Sequence, residues 1–285
     1  MTLKGKVAVV TGASAGIGRE IAGRLAQEQA CLVLAARSED RLQQVAAQLL
    51  SDGCRVMTVR TDVTDPNDLS QLTDRAVAEF GRIDILINNA GVECFDYFER
   101  LDTDDILQTI ETNLTSAILL TRLVVPHMLQ QQSGAIINMA STAGKHCPAF
   151  ETVYGATKAG LIAFTQGLRG EYLDRGISTT AICPGFTRHG GMYDRMVAAT
   201  GRRASMALGS TTASAVADAV IRAVRYGPPE IIVNWPPVRP AMVLRELFPR
   251  LGEMLVTAVS KKFVKRAVDA RTDQAAKVAA SDAHG

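Results

Sequence analysis

Residues 6–29 read KVAVVTGASAGIGREIAGRLAQEQ, and this stretch decides the fold. Residues 6–11 (KVAVVT) are apolar on both parities, the pattern of a parallel strand buried on both faces. Residues 18–29 read as a helix, and between the two lies Thr11–Gly18, with glycines at 12, 16 and 18. The glycines permit a tight turn and close approach of the backbone, while the helix N-terminus presents free N–H groups and the positive end of its dipole. Such a turn, placed after a first strand and before a helix, is built to hold a pyrophosphate. The spacing is GxxxGxG rather than GxGxxG. Gly12, Ser14, Gly16, Ile17 and Gly18 are the candidate contacts to a dinucleotide.

The same alternation continues along the chain. Residues 31–36 (CLVLAA), 56–60, 83–88 (IDILIN), 135–140 (AIINMA) and 178–183 (STTAIC) read as strands, and residues 230–234 (EIIVN) as a last one. Helical patterns fill the gaps at 39–50, 67–80, 103–128 and 153–175. Strand–helix alternation of this kind predicts a single α/β domain with a doubly wound parallel sheet of about seven strands. Composition shifts near Tyr226-Gly227-Pro228-Pro229, which places the end of that domain at about residue 234. Residues 235–285 form a C-terminal helical extension.

The bulk properties exclude several classes. With 47% hydrophobic and 21% charged residues, the 285-residue chain has ample material for a core. A net charge of +2 gives no sign of the basic face that nucleic acid requires. Cys31, Cys54, Cys94, Cys147 and Cys183 are odd in number and dispersed, as expected for reduced thiols in a cytoplasmic protein. The start of the chain predicts no signal peptide, and no apolar run approaches the length of a membrane span. His127, His146, His189 and His284 show no ligand spacing, so no metal is expected.

Further candidates sit at strand ends. An NAD-specific site usually has a carboxylate after the second strand, for the ribose hydroxyls. This chain has Ala35-Ala36-Arg37-Ser38 there, and Arg37 suits a 2′-phosphate. NADP(H) is therefore the preferred cofactor, with NAD(H) as the alternative. Asp62 and Val63 follow the third strand in position to meet an adenine, and Asn89, Ala90 and Gly91 close the fourth within Asn88-Asn89-Ala90-Gly91. Tyr154 and Lys158, four residues apart in a helical stretch, share one face. A phenol has an unperturbed pKa of about 10. A neighbouring ammonium lowers it, which suits carbonyl and alcohol chemistry.

In order and spacing, TGASAGIG, Asp62, NNAG, Asn113, Ser141, the YxxxK of Tyr154 and Lys158, and Pro184-Gly185 resemble the short-chain dehydrogenase/reductase family. The resemblance is close over residues 5–190 and thins afterwards. It implies a Rossmann-type fold and a catalytic set of Asn113, Ser141, Tyr154 and Lys158. Tyr154 would exchange a proton with the substrate oxygen. Lys158 would lower the tyrosine pKa and hold the nicotinamide ribose. Ser141 would stabilise the substrate oxygen, and Asn113 would bend its helix and hold a water linking Lys158 to solvent. Pro184, Gly185 and Thr187 would close over the nicotinamide, and residues 186–210 would form a substrate lid. Family members commonly assemble as homodimers or homotetramers.

Residues 92–98 (VECFDYF) and 145–150 (KHCPAF) bring aromatic side chains to the pocket, which favours a hydrophobic ketone or alcohol. A 3-oxoacyl thioester is the alternative substrate, and a non-catalytic dinucleotide sensor the alternative from another class. In the lid, His189, Arg202 and Arg203 read as solvated charges ahead of anion ligands, and Gly190-Gly191 as hinge or loop. Two features depart from the family pattern. Ala15 stands where many NADP-preferring members have a basic residue, which leaves that preference on Arg37 with Ser14 or Ser38. The extension carries Leu244, Leu247, Phe248, Leu251, Leu255 and Val259 near helical spacing, interrupted by Pro249 and followed by Lys261, Lys262, Lys265 and Arg266. The favoured reading packs this stripe on the domain, over the pocket or in a dimer. Contact with an anionic membrane surface, and so a peripheral membrane location, is the alternative.

Overall fold

The structure, a computed structural model, describes residues 2–188 and 209–254, together with 193–194, 197–198, 261, 264–266 and 268–270. Its centre is a seven-stranded, wholly parallel sheet built from β1 (Val7–Thr11), β2 (Cys31–Ala36), β3 (Val56–Arg60), β4 (Ile85–Asn88), β5 (Gly134–Met139), β6 (Ile177–Pro184) and a last strand, Glu230–Val233. The spatial order is β3-β2-β1-β4-β5-β6 and then the last strand. The chain reverses direction across the sheet between β1 and β4. In doubly wound sheets the ligand crevice opens at that reversal, outside the carboxyl ends of the strands.

Both faces of the sheet are covered. Ala8 and Val10 of β1 join one apolar layer with α1 (Gly16–Gln27), α2 (Glu39–Ser51) and the helix Ala213–Tyr226. Val7 and Val9 join the other, with α3 (Pro66–Phe80) and the helix Ser116–Gln130. This two-sided burial is why the strands are apolar at consecutive positions.

The first helix begins at Gly16, two residues before the sequence pattern places it. The single helix expected over 103–128 is instead α4 (Thr103–Ile110), a π-helical turn (Glu111–Thr115) and α5 (Ser116–Gln130). The wider turn carries Asn113, whose side chain bonds outside its own helix. Tyr154 and Lys158 lie in α6 (Thr152–Tyr172).

A buried amide and hydroxyl network fixes α6 to the sheet below the crevice. Asn88 Nδ2 on β4 donates to Asn138 Oδ1 on β5 (2.8 Å) and to Thr121 Oγ1 on α5 (3.0 Å). Asn138 Nδ2 donates to Thr165 Oγ1 on α6 (2.9 Å). Asn138 has no accessible surface.

Beyond the last strand, α8 (Arg239–Leu247) follows α7 (Ala213–Tyr226), and helical residues resume at 249–254 after a break at Phe248. Pro249, which has no N–H to continue the ladder, accounts for the break. Met242 is buried, but Leu247, Phe248, Leu251 and Met254 are exposed. Of the favoured readings, these described residues of the stripe do not fit packing on their own domain, while burial in a dimer remains open to them. Leu255, Val259 and Lys262 lie outside the described residues.

Replacing Asn138 by Ala would strip partners from Asn88 and Thr165, and unmet buried groups cost roughly 1–3 kcal/mol each. Urea denaturation is expected to show a loss of about 2–4 kcal/mol for Asn138→Ala, and a loss below about 1 kcal/mol would contradict the network's role.

Candidate active site

The glycine-rich turn is anchored by one hydroxyl. Thr11 Oγ1 accepts hydrogen bonds from the N–H groups of Asn89 (2.9 Å) and Ala90 (3.0 Å) and donates to the carbonyl of Ile87 (3.3 Å). Asn89 Nδ2 returns a bond to the Thr11 carbonyl (2.9 Å). The turns after β1 and β4 are thus joined across the crevice. Gly12 sits at φ +66°, and a Cβ there would lie 3.0 Å from Ala90 Cα. A Cβ on Gly18 would lie 2.2 Å from the Gly12 carbonyl oxygen, so the helix could not approach the turn with any other residue.

Helix α1 starts without a side-chain cap from Ala15 and has no acidic residue in its first turn. Its leading N–H groups and dipole are therefore left to an external anion, which fits a pyrophosphate. Arg37 stands exposed after β2. Asp62 Oδ1 accepts from the N–H (3.0 Å) and hydroxyl (2.8 Å) of Thr64. Burial opposes ionisation of Asp62, but these bonds and the charges of Arg37 and Arg60 outweigh it and hold the carboxyl below its usual range. Val63 is buried in the core.

The structure brings the four candidate catalytic residues together. Asn113 clasps the backbone of Val92: its Oδ1 accepts from the Val92 N–H (2.8 Å) and its Nδ2 donates to the Val92 carbonyl (2.9 Å). A Cβ on Gly91 would lie 3.2 Å from Asn113 Oδ1 and 3.5 Å from Lys158 Nζ, so the loop after β4 lies against both. Lys158 Nζ donates to the Met139 carbonyl at the end of β5 (2.9 Å) and stands 5.6 Å from the centre of the Tyr154 ring. Two residues on, Ser141 caps a short turn by accepting from the Ala143 N–H (3.1 Å), and its side chain stands beside Tyr154.

The electrostatics differ from the expectation that Lys158 lowers the tyrosine pKa. Burial raises the Tyr154 phenol well above its usual value, the Glu93 charge adds to the rise, and the neighbouring Ser141 opposes it. Burial drives Lys158 itself down to about 8. On the tyrosine, burial and the Glu93 charge together win, and the phenol holds its proton more firmly.

At the far side, β6 runs to Pro184, whose carbonyl accepts from the Thr142 (3.3 Å) and Ser141 (3.5 Å) hydroxyls. Gly185 packs against Asn234, where a Cβ would lie 1.9 Å from the amide oxygen. Thr187 Oγ1 donates to the Gly185 carbonyl (3.1 Å), and the short strand Thr187–Arg188 pairs with Thr211–Thr212. The ends of the expected lid are therefore fastened together. His189, Gly190, Gly191, Arg202 and Arg203 lie outside the described residues. Among the described residues no His, Cys, Asp and Glu cluster is arranged to hold a metal.

Sequence reading missed three contributors: Thr11 as the fastener of two turns, and the carboxyl groups of Glu93 and Glu151. The acidic pair had no motif to announce it, although Glu151 stands three residues before Tyr154. Glu151 is 3% exposed, and its Oε1 meets no hydrogen-bond partner among the described residues. Burial, then the Glu93 charge, pushes its carboxyl up to about 8. The folded protein thus keeps a proton that the unfolded chain releases at an ordinary carboxyl pKa of about 4.3. The folded state binds more protons between those values, so this group makes stability fall as pH rises from about 4.3 to about 8. Glu151→Gln is expected to flatten that fall, measured as denaturation midpoint against pH. An unchanged slope would contradict the buried, protonated carboxyl.

Comparison with known proteins agrees with this architecture. The family model for short chain dehydrogenases matches residues 6–199. The ketoacyl reductase HetN of Nostoc sp. is 38% identical over 261 residues, 91% of this chain and 88% of that protein. An uncharacterized oxidoreductase of Staphylococcus aureus is 39% identical over 198 residues, 70% of this chain and 82% of that one. Among solved structures, an actinorhodin polyketide ketoreductase variant with NADPH superposes with a TM-score of 0.73 at 29% identity, covering 81% of this chain and 96% of its own. A short chain dehydrogenase/reductase from Burkholderia phymatum in complex with NAD gives 0.78 at 27%, covering 88% and 96%. With the family model spanning both the glycine turn and the Ser141–Tyr154–Lys158 cluster, this chain belongs to the short chain dehydrogenase family and is an oxidoreductase of that family.

Proposed function

We propose that the protein is an NADP(H)-dependent oxidoreductase that interconverts a carbonyl and a secondary alcohol on a hydrophobic substrate. The observation that carries this reading is the half-buried Tyr154 with Ser141 beside it and the buried Lys158 ammonium 5.6 Å from the centre of its ring, close to the backbone of Gly91. When bound, the nicotinamide supplies or accepts the hydride. The protein's part is to manage a proton and a developing charge. Ser141 donates a hydrogen bond to the substrate oxygen. Tyr154, whose environment keeps its phenol protonated, gives its Oη proton to that oxygen during reduction and takes one back during oxidation. Lys158, one of its protons committed to the Met139 carbonyl, would hold the nicotinamide ribose hydroxyls with the others. Asn113 positions the Val92 backbone beside the lysine.

Cofactor choice rests on Arg37, a guanidinium with no carboxylate beside it in the turn after β2, suited to a 2′-phosphate. The apolar pocket rests on Phe95, Phe150 and Phe186, which pack in one cluster. A second reading, reduction of a 3-oxoacyl thioester, is favoured by similarity to a relative named a ketoacyl reductase. For assembly we infer a homo-oligomer that covers the exposed Leu107 and Ile110 of α4 and Ile118 of α5. Apolar side chains on one helix face call for such a partner. No helix among the described residues is long and apolar enough to cross a membrane.

Two experiments test the reading. Tyr154→Phe is expected to lose about 100-fold or more in ketone reduction while binding NADPH as the parent does. Retained turnover would remove the tyrosine from the chemistry, and a parent that binds NADPH but turns over no ketone or 3-oxoacyl thioester would favour a sensor. Arg37→Ala is expected to weaken NADPH binding by about tenfold and leave NADH nearly unchanged. Tighter binding of NADH than NADPH by the parent protein would overturn the cofactor assignment.

A further inference from the structure

The C-terminal extension docks on the protein with one set of side chains and leaves another in solvent. Met242 on α8 is buried, and Arg245, three residues on, donates to His146 Nδ1 in the 145–150 loop (2.5 Å). The helical residues after Pro249 come back against α8, because a Cβ on Gly252 would lie 2.4 Å from Arg245 Cα. Further along, Val264 and Val268, four residues apart, are buried. The residues that fasten the extension are thus Met242, Arg245, Gly252, Val264 and Val268.

The larger apolar side chains point elsewhere. Val243 and Leu247, one turn apart on α8, are exposed, and so are Phe248, Leu251 and Met254. Trp235, the chain's single tryptophan, stands 76% exposed four residues ahead of the helix. Apolar side chains crowded on one surface segment mark a contact with a partner or a membrane. The homo-oligomer inferred above draws on α4 and α5, which lie between β4 and β5 in the chain. The extension instead leaves the strand at the edge of the sheet, so this patch stays uncovered.

Charge decides what covers it. Residues 235–285 hold nine Lys and Arg against five Asp and Glu, a net +4, while the whole chain carries +2, so everything before the extension carries −2. Arg239, Arg250 and Arg266 are exposed and meet no carboxylate among the described residues. Arg250 and Met254 lie one turn apart, which puts a cation and an apolar side chain on one face. A second copy docked here about a two-fold axis would set +4 against +4. An anionic bilayer takes both properties: its headgroups accept the cations, and its acyl boundary accepts the apolar side chains. Tryptophan favours that same boundary.

We propose that the extension is an interfacial anchor that lies in the plane of an anionic bilayer. The exposed apolar side chains of residues 243–254 enter the acyl boundary, Trp235 stands at its edge, and Arg239, Arg250 and Arg266 lie among the headgroups. No helix among the described residues can cross the bilayer, so the anchor rests on its surface. This anchoring stands apart from the reaction assigned above and is tested without it.

The test mixes the full-length protein with vesicles of phosphatidylcholine, alone or with about one-third phosphatidylglycerol. The protein is expected to float with the anionic vesicles and to bind the neutral ones about tenfold or more weakly. Trp235 emission is expected to shift to the blue on the anionic vesicles and to be quenched by brominated lipid. Phe248→Ser combined with Leu251→Ser changes only exposed positions and is expected to weaken anionic binding by about tenfold, with the urea midpoint unchanged. If the double variant proves less stable, quenching of Trp235 in the parent decides alone. Protein that stays free of anionic vesicles would overturn the proposal, as would equal binding to both vesicles or binding undiminished in a stable double variant. Self-association that the double variant abolishes, without lipid binding, would assign the patch to a second copy and overturn it as well.

Discussion

An ammonium group buried to 3% exposure must find oxygen atoms, and the site is arranged around how Lys158 does so. Among the described residues it donates to the Met139 carbonyl, at the end of the strand that leads into Ser141. That bond fixes α6 against β5 at the crevice, and with it the position of Tyr154 one turn earlier. The Asn88–Asn138–Thr165 network holds the same helix lower down. From the other side Asn113, in its widened turn, presses the loop after β4 toward the ammonium. Enclosure strips water from the charged form of the lysine, and burial drives its pKa down to about 8.

The consequence is a pair of acids that hold their protons. Burial disfavours the charged forms of the Tyr154 phenol and the Glu151 carboxyl, and it makes the Lys158 ammonium give up its proton more readily. Glu93 reinforces the effect on the two acids. On the proposed reading, a protonated phenol beside a serine hydroxyl stands ready to donate to a carbonyl oxygen, so the protein alone is poised for reduction. An anchored glycine turn and an uncapped helix N-terminus offer a pyrophosphate site at the neighbouring reversal of strand order.

Most of this was legible in the sequence where the physics is local. Two-sided burial wrote the strands as apolar runs, and the 31–36 and 56–60 strands lie where those runs predict. The glycine turn, Ser141 and the Tyr154–Lys158 spacing could be read because each is a short pattern. The π turn at Glu111–Thr115 could not, since one extra residue in a helical turn hardly disturbs the apolar period. Glu151 and Thr11 act through neighbours distant in sequence, so no spacing marks them. In the extension, periodicity and Pro249 foretold two helical pieces, but not that Leu247, Phe248, Leu251 and Met254 would face outward. Periodicity shows that a face is apolar and says nothing about what covers it.

The central claim is that this constellation of groups serves hydride transfer to a carbonyl carbon. The direct measurement uses NADPH carrying deuterium at the transferring C4 position, with mass spectrometry of the alcohol formed from 2-tetralone and from a 3-oxoacyl thioester. One deuterium is expected on the carbinol carbon of at least one product, with an equal amount of NADP formed. Cofactor oxidation without label in either alcohol, or no oxidation by protein that binds NADPH, would contradict it.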